Sequence, residues 1–353
     1  MTKDEKTQFT QNLLAWYQKE KRDLPWRKTK DAYCIWISEI MLQQTRVEAV
    51  IPYYERFLKT FPTLKDLADA EEDLVLKLWE GLGYYSRARN LQKCAKQLIS
   101  EGKTTLPNDV NTLQKLPGIG EYTAGAIASI AYQEKTPAID GNVLRVMTRI
   151  TKDDSDITKQ ETKKKCKQLL QEMMGEDPSS FTQGLMEVGA LVCLPNGAPL
   201  CSNCPFQTLC ASHQDNTMLN YPVKKEKKER KIEEKTIFLV TFADEILIQK
   251  RPAQGLLASL YEYPSEIGHL TKEKVHKLWN RQGYQIKSIQ LLPIAKHIFS
   301  HLEWHMIGYM IEVAEKKEGL WVKKEELFQN YSLPSAFQTY SNILKENVDT
   351  TNM

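Results

Sequence analysis

The sequence predicts two domains, an all-α domain followed by a smaller α+β domain. Up to about residue 192 the apolar residues recur at helical spacing, whereas beyond residue 235 they alternate with polar residues as in strands. A chain of 353 residues is also long for a single hydrophobic core. The mixed-charge run Lys224–Lys231 separates the two patterns. We therefore expect domains at residues 1–213 and 236–353, joined by a charged linker at 214–235.

Composition narrows the functional classes. No window approaches the ~20 continuous apolar residues of a membrane helix, so no membrane partner is expected. The first ten residues are polar and charged, unlike a signal peptide. Seven cysteines, four of them within residues 193–210, are typical of a metal site in a reducing compartment, which predicts a cytoplasmic protein. A net charge of only +3 means that nucleic-acid binding would require locally concentrated positive charge.

A series of amphipathic helices is predicted in the first region. The first carries Phe9, Leu13 and Tyr17 on one face, and Asp31 is a suitable N-cap for the second. Glycines follow several of the apolar runs and end the helices there. The predicted helices cover residues 5–20, 32–42, 47–59, 71–80, 84–100, 111–115, 123–131, 142–150, 157–174 and 181–192.

Glu39 is unusual because it lies among Ile37, Ile40 and Met41 in the second predicted helix. A charged carboxylate in such a place costs several kcal/mol, so its pKa should rise. Two interpretations stay open. The side chain extends to water, or it is a general acid that is held protonated near neutral pH.

Three polar or aromatic segments border these helices. The pair Trp26 and Arg27 either stacks on and hydrogen-bonds a base or anchors its loop to the core. Residues 43–45, which include Gln44 and Thr45, either cap a helix or contact base edges. Residues 81–85 combine two glycines with Leu and Tyr, which suits a wedge that replaces a displaced base as well as a plain turn.

Residues 116–120 predict a tight hairpin between two helices. Pro117 ends the preceding polar segment, and Gly118 and Gly120 are expected to adopt positive φ. The free amides at the start of the following helix favour a phosphate. An ordinary turn is the alternative, and a dinucleotide-binding fingerprint would need a preceding strand that this sequence does not suggest. Asp140 then precedes the helix at 142–150, where it is at least a capping residue.

Four cysteines form the strongest metal motif. Cys193, Cys201, Cys204 and Cys210 enclose seven, two and five residues. A structural zinc site would usually show two short paired knuckles, so this asymmetric spacing favours a 4Fe–4S cluster, with zinc as the alternative. The other cysteines, at positions 34, 94 and 166, lie on apolar faces and are predicted to be packed in the core.

The second region predicts a hairpin of strands at 236–242 and 245–250, a helix at 272–279, further strands within 286–313 and a last helix at 334–345. His297, His301 and His305 recur every four residues, but their neighbours alternate as in strands, which argues against a metal site. We therefore interpret Phe299–His301 as a loop between strands with exposed polar and aromatic side chains.

Taken together, these motifs resemble the helix-hairpin-helix DNA glycosylases that carry an iron–sulfur loop. Leu116–Gly120, Asp140–Asn142 and the four cysteines carry this resemblance. Ser38–Thr45 and Leu82–Ser86 narrow it to the MutY family of adenine DNA glycosylases. The resemblance extends from about Phe9 to the last helix and includes a Nudix-like C-terminal domain.

The resemblance implies excision of adenine paired with 8-oxoguanine or guanine in duplex DNA, by a monomer with a 4Fe–4S cluster. It implies that Glu39 protonates adenine N7 and that Asp140 faces the positively charged sugar, with Tyr122 and Asn142 in support. Tyr122 stands where bifunctional relatives carry a nucleophilic lysine, so a monofunctional enzyme is expected. The implied base-binding residues are Trp26, Arg27 and Gln183 for adenine, Gln44, Thr45, Leu82 and Tyr84 around 8-oxoguanine, and Phe299, Ser300 and His301 in the second domain; Leu116, Gly118 and Gly120 would bind phosphate.

Two departures qualify these expectations. The family commonly has six residues between its first two cluster cysteines, whereas Cys193 and Cys201 enclose seven. No run in the second domain resembles the acidic Nudix box, so recognition without pyrophosphatase activity is expected. The alternatives are a pyrimidine-damage glycosylase, which Tyr122 argues against, and a non-catalytic iron–sulfur DNA-binding or redox-sensing protein, which would need neither Glu39 nor Asp140.

Overall fold

The structure, a computed structural model, describes residues 1–224 and 229–349. It divides the chain into two compact units, one formed by Met1–Asp69 with Asn90–Glu226 and the other by Ala70–Arg89 with Lys227–Met353. Within the described ranges, no helix is both long and apolar enough to cross a membrane.

The predicted domain boundaries differ from these units in two places. Residues 70–89 belong to the second unit although they lie early in the chain, and residues 214–224 belong to the first unit instead of a linker. The first strand begins at Lys231, within the predicted linker, because its N-terminal half pairs with a neighbouring strand. Residues 225–228 of that linker lie outside the described residues.

Helices make up the first part of the chain. The predicted helices, including the short one before the hairpin, are confirmed within a few residues, and two further helices, at Leu64–Asp69 and Ala211–Gln214, were not predicted. Their bounds are α1 Lys3–Glu20, α2 Ala32–Leu42, α3 Val47–Thr60, α4 Leu64–Asp69, α5 Glu72–Leu78, α6 Ser86–Ser100, α7 Val110–Leu113, α8 Glu121–Tyr132, α9 Gly141–Thr151, α10 Gln160–Met173, α11 Pro178–Leu191 and α12 Ala211–Gln214.

Two helices of the first unit are buried almost all round. From Ala32 to Met41, α2 exposes only Cys34 appreciably, and α8 is buried from Thr123 to Ile130. Their apolar composition is typical of helices at the centre of a domain. Helix α8 packs closely against the segment that follows it, since a Cβ added at Gly125 would lie 2.9 Å from the Pro137 carbonyl oxygen. Because both helices are buried almost all round, a polar side chain on either of them must find a partner inside the protein or face a cavity.

The second unit combines a mixed β-sheet with helices, in agreement with the predicted α+β class. Its elements are β1 Lys231–Phe242, β2 Glu245–Lys250, β3 Tyr261–Glu262, β4 Ser265–Ile267, α13 Lys272–Arg281, β5 Ile286–Ile298, β6 Leu302–Val313, β7 Leu320–Lys323, α14 Lys324–Asn330 and α15 Gln338–Asp349. The strand order is β3-β2-β1-β6-β5, with β4 paired to β1 and β7 paired to β2, and the central β1–β6 pair is parallel.

Alternation along β1 explains how the sheet is covered. Ile237 and Leu239 pack on one face with Tyr340 of α15, whereas Phe238 and Val240 pack on the other face with residues of α13. Both faces are therefore buried, which is why the strand is buried over six consecutive positions and apolar over the four central ones, residues 237–240. The predicted loop between β5 and β6 is confirmed, since the strands end at Ile298 and resume at Leu302.

Candidate active site

A cavity of about 380 Å³ in the first unit brings together most of the predicted adenine-binding and catalytic residues. Its wall draws on α2, α8, α9, α11 and the turn that contains Trp26. The predicted residues that line it are Trp26, Arg27, Glu39, Thr45, Tyr122, Asp140, Asn142 and Gln183.

Glu39 faces this cavity and is only 5% exposed. Burial raises its pKa to about 7; the Tyr122 hydrogen bond opposes that rise, and the nearby Asp140 charge adds to it. The hydroxyl of Tyr122 donates to Glu39 Oε2 at 2.8 Å, and burial keeps the pKa of Tyr122 well above its usual range. Because Oε2 already accepts this hydrogen bond, the acidic proton belongs on Oε1. Of the two interpretations left open for Glu39, the structure favours the buried acid.

Asp140 is the N-cap of α9. Its Oδ1 accepts the backbone N–H of Val143 at 2.7 Å, and its Oδ2 accepts the side-chain amide of Asn142 at 2.9 Å. Both bonds hold the carboxylate in one orientation, and the positive end of the helix favours its negative charge. The cavity therefore contains two carboxyl groups in different surroundings, Asp140 at a helix N-terminus and Glu39 in a buried position.

Arg145, which was not predicted from the sequence, holds the Asn142 side chain in place by a hydrogen bond. Its Nη1 donates to the Asn142 side-chain oxygen at 2.8 Å, its Nη2 to the Gly189 carbonyl at 2.9 Å and its Nε to the Cys193 carbonyl at 2.9 Å. These contacts connect the start of α9 to the beginning of the cysteine loop. The only sequence signal was a charged residue on the apolar face of α9.

A buried ion-pair cluster forms another wall of the cavity. Glu187, 1% exposed, accepts hydrogen bonds from Arg22 Nε at 2.8 Å and from Arg27 Nη2 at 2.6 Å. Burial alone would raise its pKa, but the hydrogen bonds from the two arginines outweigh burial and lower the pKa to about 2. Arg22 and Glu187 were not predicted, because their contact joins positions 165 residues apart.

The remaining predicted adenine contacts are placed as follows. Trp26 is only 6% exposed and packs edge-on against Tyr54, so it anchors its turn and forms part of the cavity wall. Gln183 is held by Ser179, whose hydroxyl accepts from its amide at 3.0 Å. Two residues predicted around 8-oxoguanine also belong to the first unit: Gln44 is exposed, has a positive φ of 59° and does not line this cavity, whereas Thr45 does.

The predicted hairpin is confirmed in outline and corrected at one glycine. Gly118 has φ +74°, and an added Cβ would lie 2.6 Å from the Asn90 Cβ, so glycine is required there. Gly120 instead has φ −84° and is the N-cap of α8, a conformation open to other residues. Leu116 is buried and can offer only its backbone to a phosphate.

Four predicted 8-oxoguanine contacts lie together in the second unit. A cavity of about 550 Å³ is lined by Tyr84, Phe299, Ser300 and His301. The hydroxyls of Tyr84 and Ser300 are hydrogen-bonded at 3.1 Å. Leu82 is buried, so in this conformation Tyr84, not Leu82, is the side chain available to enter a base stack.

All four predicted metal ligands, Cys193, Cys201, Cys204 and Cys210, line one further pocket of the first unit. Burial and the neighbouring thiols raise the pKa of Cys204 to about 12. Four thiolates in one pocket would repel each other, so the donor set fits a positively charged metal group. Within residues 1–224 and 229–349, no group of three or more His, Cys, Asp or Glu side chains is arranged to hold a single metal ion, although all four cysteines line this pocket.

Both parts of the chain match known protein families. Residues 37–172 match the HhH-GPD superfamily of base excision DNA repair proteins, and residues 236–342 match the NUDIX domain. The chain is 35% identical to the adenine DNA glycosylase of Rattus norvegicus over 96% of its length and 78% of the rat protein. It is 33% identical to that of Buchnera aphidicola subsp. Schizaphis graminum, over 96% of this chain and 99% of the relative.

Solved structures show the same helical fold. A thermostable thymine-DNA glycosylase, 26% identical, superposes with a TM-score of 0.55 over 60% of this chain and 98% of its own. An endonuclease III–DNA covalent intermediate, 22% identical, gives a TM-score of 0.52 over 61% and 99% of the two chains. Because the match covers 78% of the rat protein and 99% of the Buchnera protein at more than 30% identity, this chain belongs to the adenine DNA glycosylase family.

Proposed function

We propose that this chain is a monofunctional glycosylase that removes adenine paired with 8-oxoguanine or guanine in duplex DNA, acting as a monomer in the cytoplasm. The observation that carries the proposal is the pair of carboxyl groups in one cavity, the buried Glu39, whose pKa is raised to about 7, and Asp140 at the N-terminus of α9. Glycosidic bonds are cleaved by such pairs, one group acting as acid and the other as anion.

The first chemical step is departure of the base. Adenine flipped into the cavity accepts the Oε1 proton of Glu39 at N7, and the C1′–N9 bond breaks with its electron pair passing to the purine. Tyr122 remains a hydroxyl and holds Oε2, so the acid keeps one orientation. The positive charge left on the sugar is stabilised by the carboxylate of Asp140, which Asn142 and the α9 amide keep in place.

Water completes the reaction. It adds to C1′ and releases a proton, which restores the protonated acid at Glu39. The described residues that line the cavity include no lysine, which supports hydrolysis over imine formation with the sugar. The product is an abasic site in an uncut strand.

The second unit is the proposed reader of the opposite base. 8-Oxoguanine differs from guanine by an N7–H donor and an O8 acceptor, and the Ser300 hydroxyl can serve either group. Phe299 and Tyr84 supply aromatic faces for stacking beside it. The hydrogen bond between Tyr84 and Ser300 must then be exchanged for contacts with the lesion.

The proposed cofactor is a 4Fe–4S cluster on the four cysteines. When bound, such a cluster cross-links four points of the chain and carries one-electron redox chemistry. Arg149 Nη1 donates to the Cys193 sulfur at 3.3 Å, so a cation already supports negative charge at this pocket. Purified protein should contain about four irons per chain; zinc in place of iron would reject the assignment.

Single-turnover release of adenine tests the function directly. Duplexes with adenine opposite 8-oxoguanine, guanine or thymine are compared, with and without alkali. We expect alkali-dependent cleavage for the first two and none for the third. Cleavage without alkali would reveal a lyase nucleophile, and binding without release would leave only a non-catalytic role.

Asp140→Asn separates the anion from its cap. Asparagine still accepts the Val143 N–H, so α9 should form, while the rate should fall by about 10²–10³-fold. A normal rate in this variant would remove the electrostatic role of Asp140.

A further inference from the structure

His213 lines the cysteine pocket together with the four predicted ligands. It lies in α12, which begins directly after Cys210, and its backbone N–H donates to the Cys210 carbonyl at 3.0 Å. The imidazole is therefore attached to the same turn of chain as the last thiol. No role in the chemistry described above has been assigned to this ring.

The two ring nitrogens of His213 have different surroundings. Nε2 lies 3.4 Å from the side-chain amide nitrogen of Gln207, which is an N–H donor. Nε2 therefore accepts, and the neutral ring carries its proton on Nδ1.

Nδ1 is buried and has no hydrogen-bond partner among residues 1–224 and 229–349. A buried donor without an acceptor costs about 1–3 kcal/mol. The arrangement is therefore incomplete unless the pocket itself supplies an acceptor.

We propose that the Nδ1–H of His213 donates a hydrogen bond to a sulfur of the iron–sulfur cluster and thereby raises its reduction potential. The inference rests on the proposed cofactor. Thiolate and sulfide sulfurs accept hydrogen bonds, and such bonds stabilise the reduced, more negative state of a cluster. His213 and Arg149 would then donate to sulfur from separate elements, α12 and α9. His213 would act through the cluster, because it lines the cysteine pocket and not the cavity that contains Glu39 and Asp140.

Two variants of the full-length, cluster-loaded protein separate donation from packing. His213→Phe keeps an aromatic ring and loses the donor, whereas His213→Asn places an amide N–H near the position of Nδ1. We expect a more negative midpoint potential in the Phe variant and recovery towards the wild-type value in the Asn variant. Adenine release should be unchanged in both.

A vibrational measurement gives a second readout. Exchange of the wild-type protein into D₂O should shift the Fe–S stretching bands in the resonance Raman spectrum, and the shift should be smaller in His213→Phe, where Arg149 still donates to sulfur. Should His213→Phe load iron poorly, Gln207→Leu provides a second test, because it frees Nε2 and weakens the preference for the Nδ1–H tautomer. A smaller shift of potential in the same direction is then expected.

The outcomes are distinguishable. Equal potentials and equal isotope shifts in the wild type and in His213→Phe would overturn the hydrogen bond while leaving the cluster in place. A wild-type potential in His213→Phe together with a more negative potential in His213→Asn would show that the ring acts through packing, and this would equally overturn the proposal. A wild-type protein without iron would defeat both this inference and the proposed cofactor, whereas adenine release tests the glycosylase assignment independently.

Discussion

Glu39 and Glu187 are two buried glutamates in the wall of one cavity, yet they are held in opposite charge states. They are 5% and 1% exposed, respectively. The pKa of Glu39 is raised to about 7, whereas that of Glu187 is lowered to about 2. Burial pushes both values upwards, so the difference comes from their partners, a single neutral hydroxyl for Glu39 and two guanidinium groups for Glu187.

This contrast shows how the cavity combines an acid with a permanent anion. The α2 wall gives Glu39 few compensating charges, so its proton is available near neutral pH. The α11 wall gives Glu187 full compensation, so it fixes Arg22 and Arg27 and never acts as an acid. In the proposed mechanism, a glutamate on one wall is therefore a reactant, whereas the glutamate on the other wall holds two arginines in place.

The largest effect is expected from Glu39→Gln. The amide has the same shape but no acidic proton, so single-turnover release of adenine should fall by about 10²–10⁴-fold. DNA affinity, measured by fluorescence anisotropy, should stay within a few-fold of wild type. A near-normal rate in this variant would contradict the acid role and remove the functional side of the comparison.

Glu187→Gln should act mainly on stability. It leaves two guanidinium groups facing a neutral amide, so the free energy of unfolding should fall by about 3 kcal/mol or more in urea titrations. Glu48→Gln is the matched control, because Glu48 also approaches Arg22 but its side chain is 77% exposed. That change should alter stability by less than about 1 kcal/mol. Equal effects of the two substitutions would show that burial does not determine how strongly these ion pairs stabilise the protein.

The pH dependence of stability should have opposite signs for the two residues. Because the folded pKa of Glu39 is about 7 against a usual 4.5, the folded state binds more protons and loses stability as pH rises through this range. Glu39→Gln should therefore be more stable than wild type at pH 8, by up to about 3 kcal/mol, and similar to it at about pH 4. For Glu187 the stabilisation is present above its usual pKa and is lost as pH falls towards 2. Urea unfolding across this pH range measures both; a Glu39→Gln variant that is less stable at pH 8 would refute the raised pKa.

The smallest effect is expected from Tyr122→Phe. The tyrosine hydrogen bond lowers the pKa of Glu39, so its loss should move the alkaline limb of the rate–pH profile upwards by about one unit. The rate at pH 6 should change less than in Glu39→Gln. A shift to lower pH would mean that the hydroxyl stabilises the neutral acid instead.

Sequence patterns identified Glu39 as a candidate functional residue but missed Glu187. Glu39 was visible because a carboxylate interrupts an apolar helix, which is a local signal. Glu187 depends on Arg22, far away in the chain, and no local periodicity reports such a contact. The helices, the β1–β2 hairpin and the cysteine pocket were predictable for the same reason that Glu39 was, since each depends on neighbouring residues.

The errors have physical causes too. Gly120 was expected to need positive φ, but the turn is completed at Gly118 and the chain is already extended where α8 begins. The boundary near residue 70 could not be inferred, because it depends on tertiary contacts. In the second unit, Asp73 accepts from the Tyr261 hydroxyl at 2.9 Å and Lys77 donates to the Phe328 carbonyl at 2.6 Å.

Because residues 70–89 fold with the C-terminal unit, the chain passes between the two units at positions 69–70, 89–90 and 226–227. Cutting the chain once near residue 226 would therefore not separate the complete C-terminal unit from the rest of the protein. Such a break would leave Asp73 and Lys77 without Tyr261 and Phe328. A chimera that exchanges the C-terminal unit between relatives would have to include residues 70–89 as well, and substitutions in this early segment should be coupled to those in the C-terminal unit.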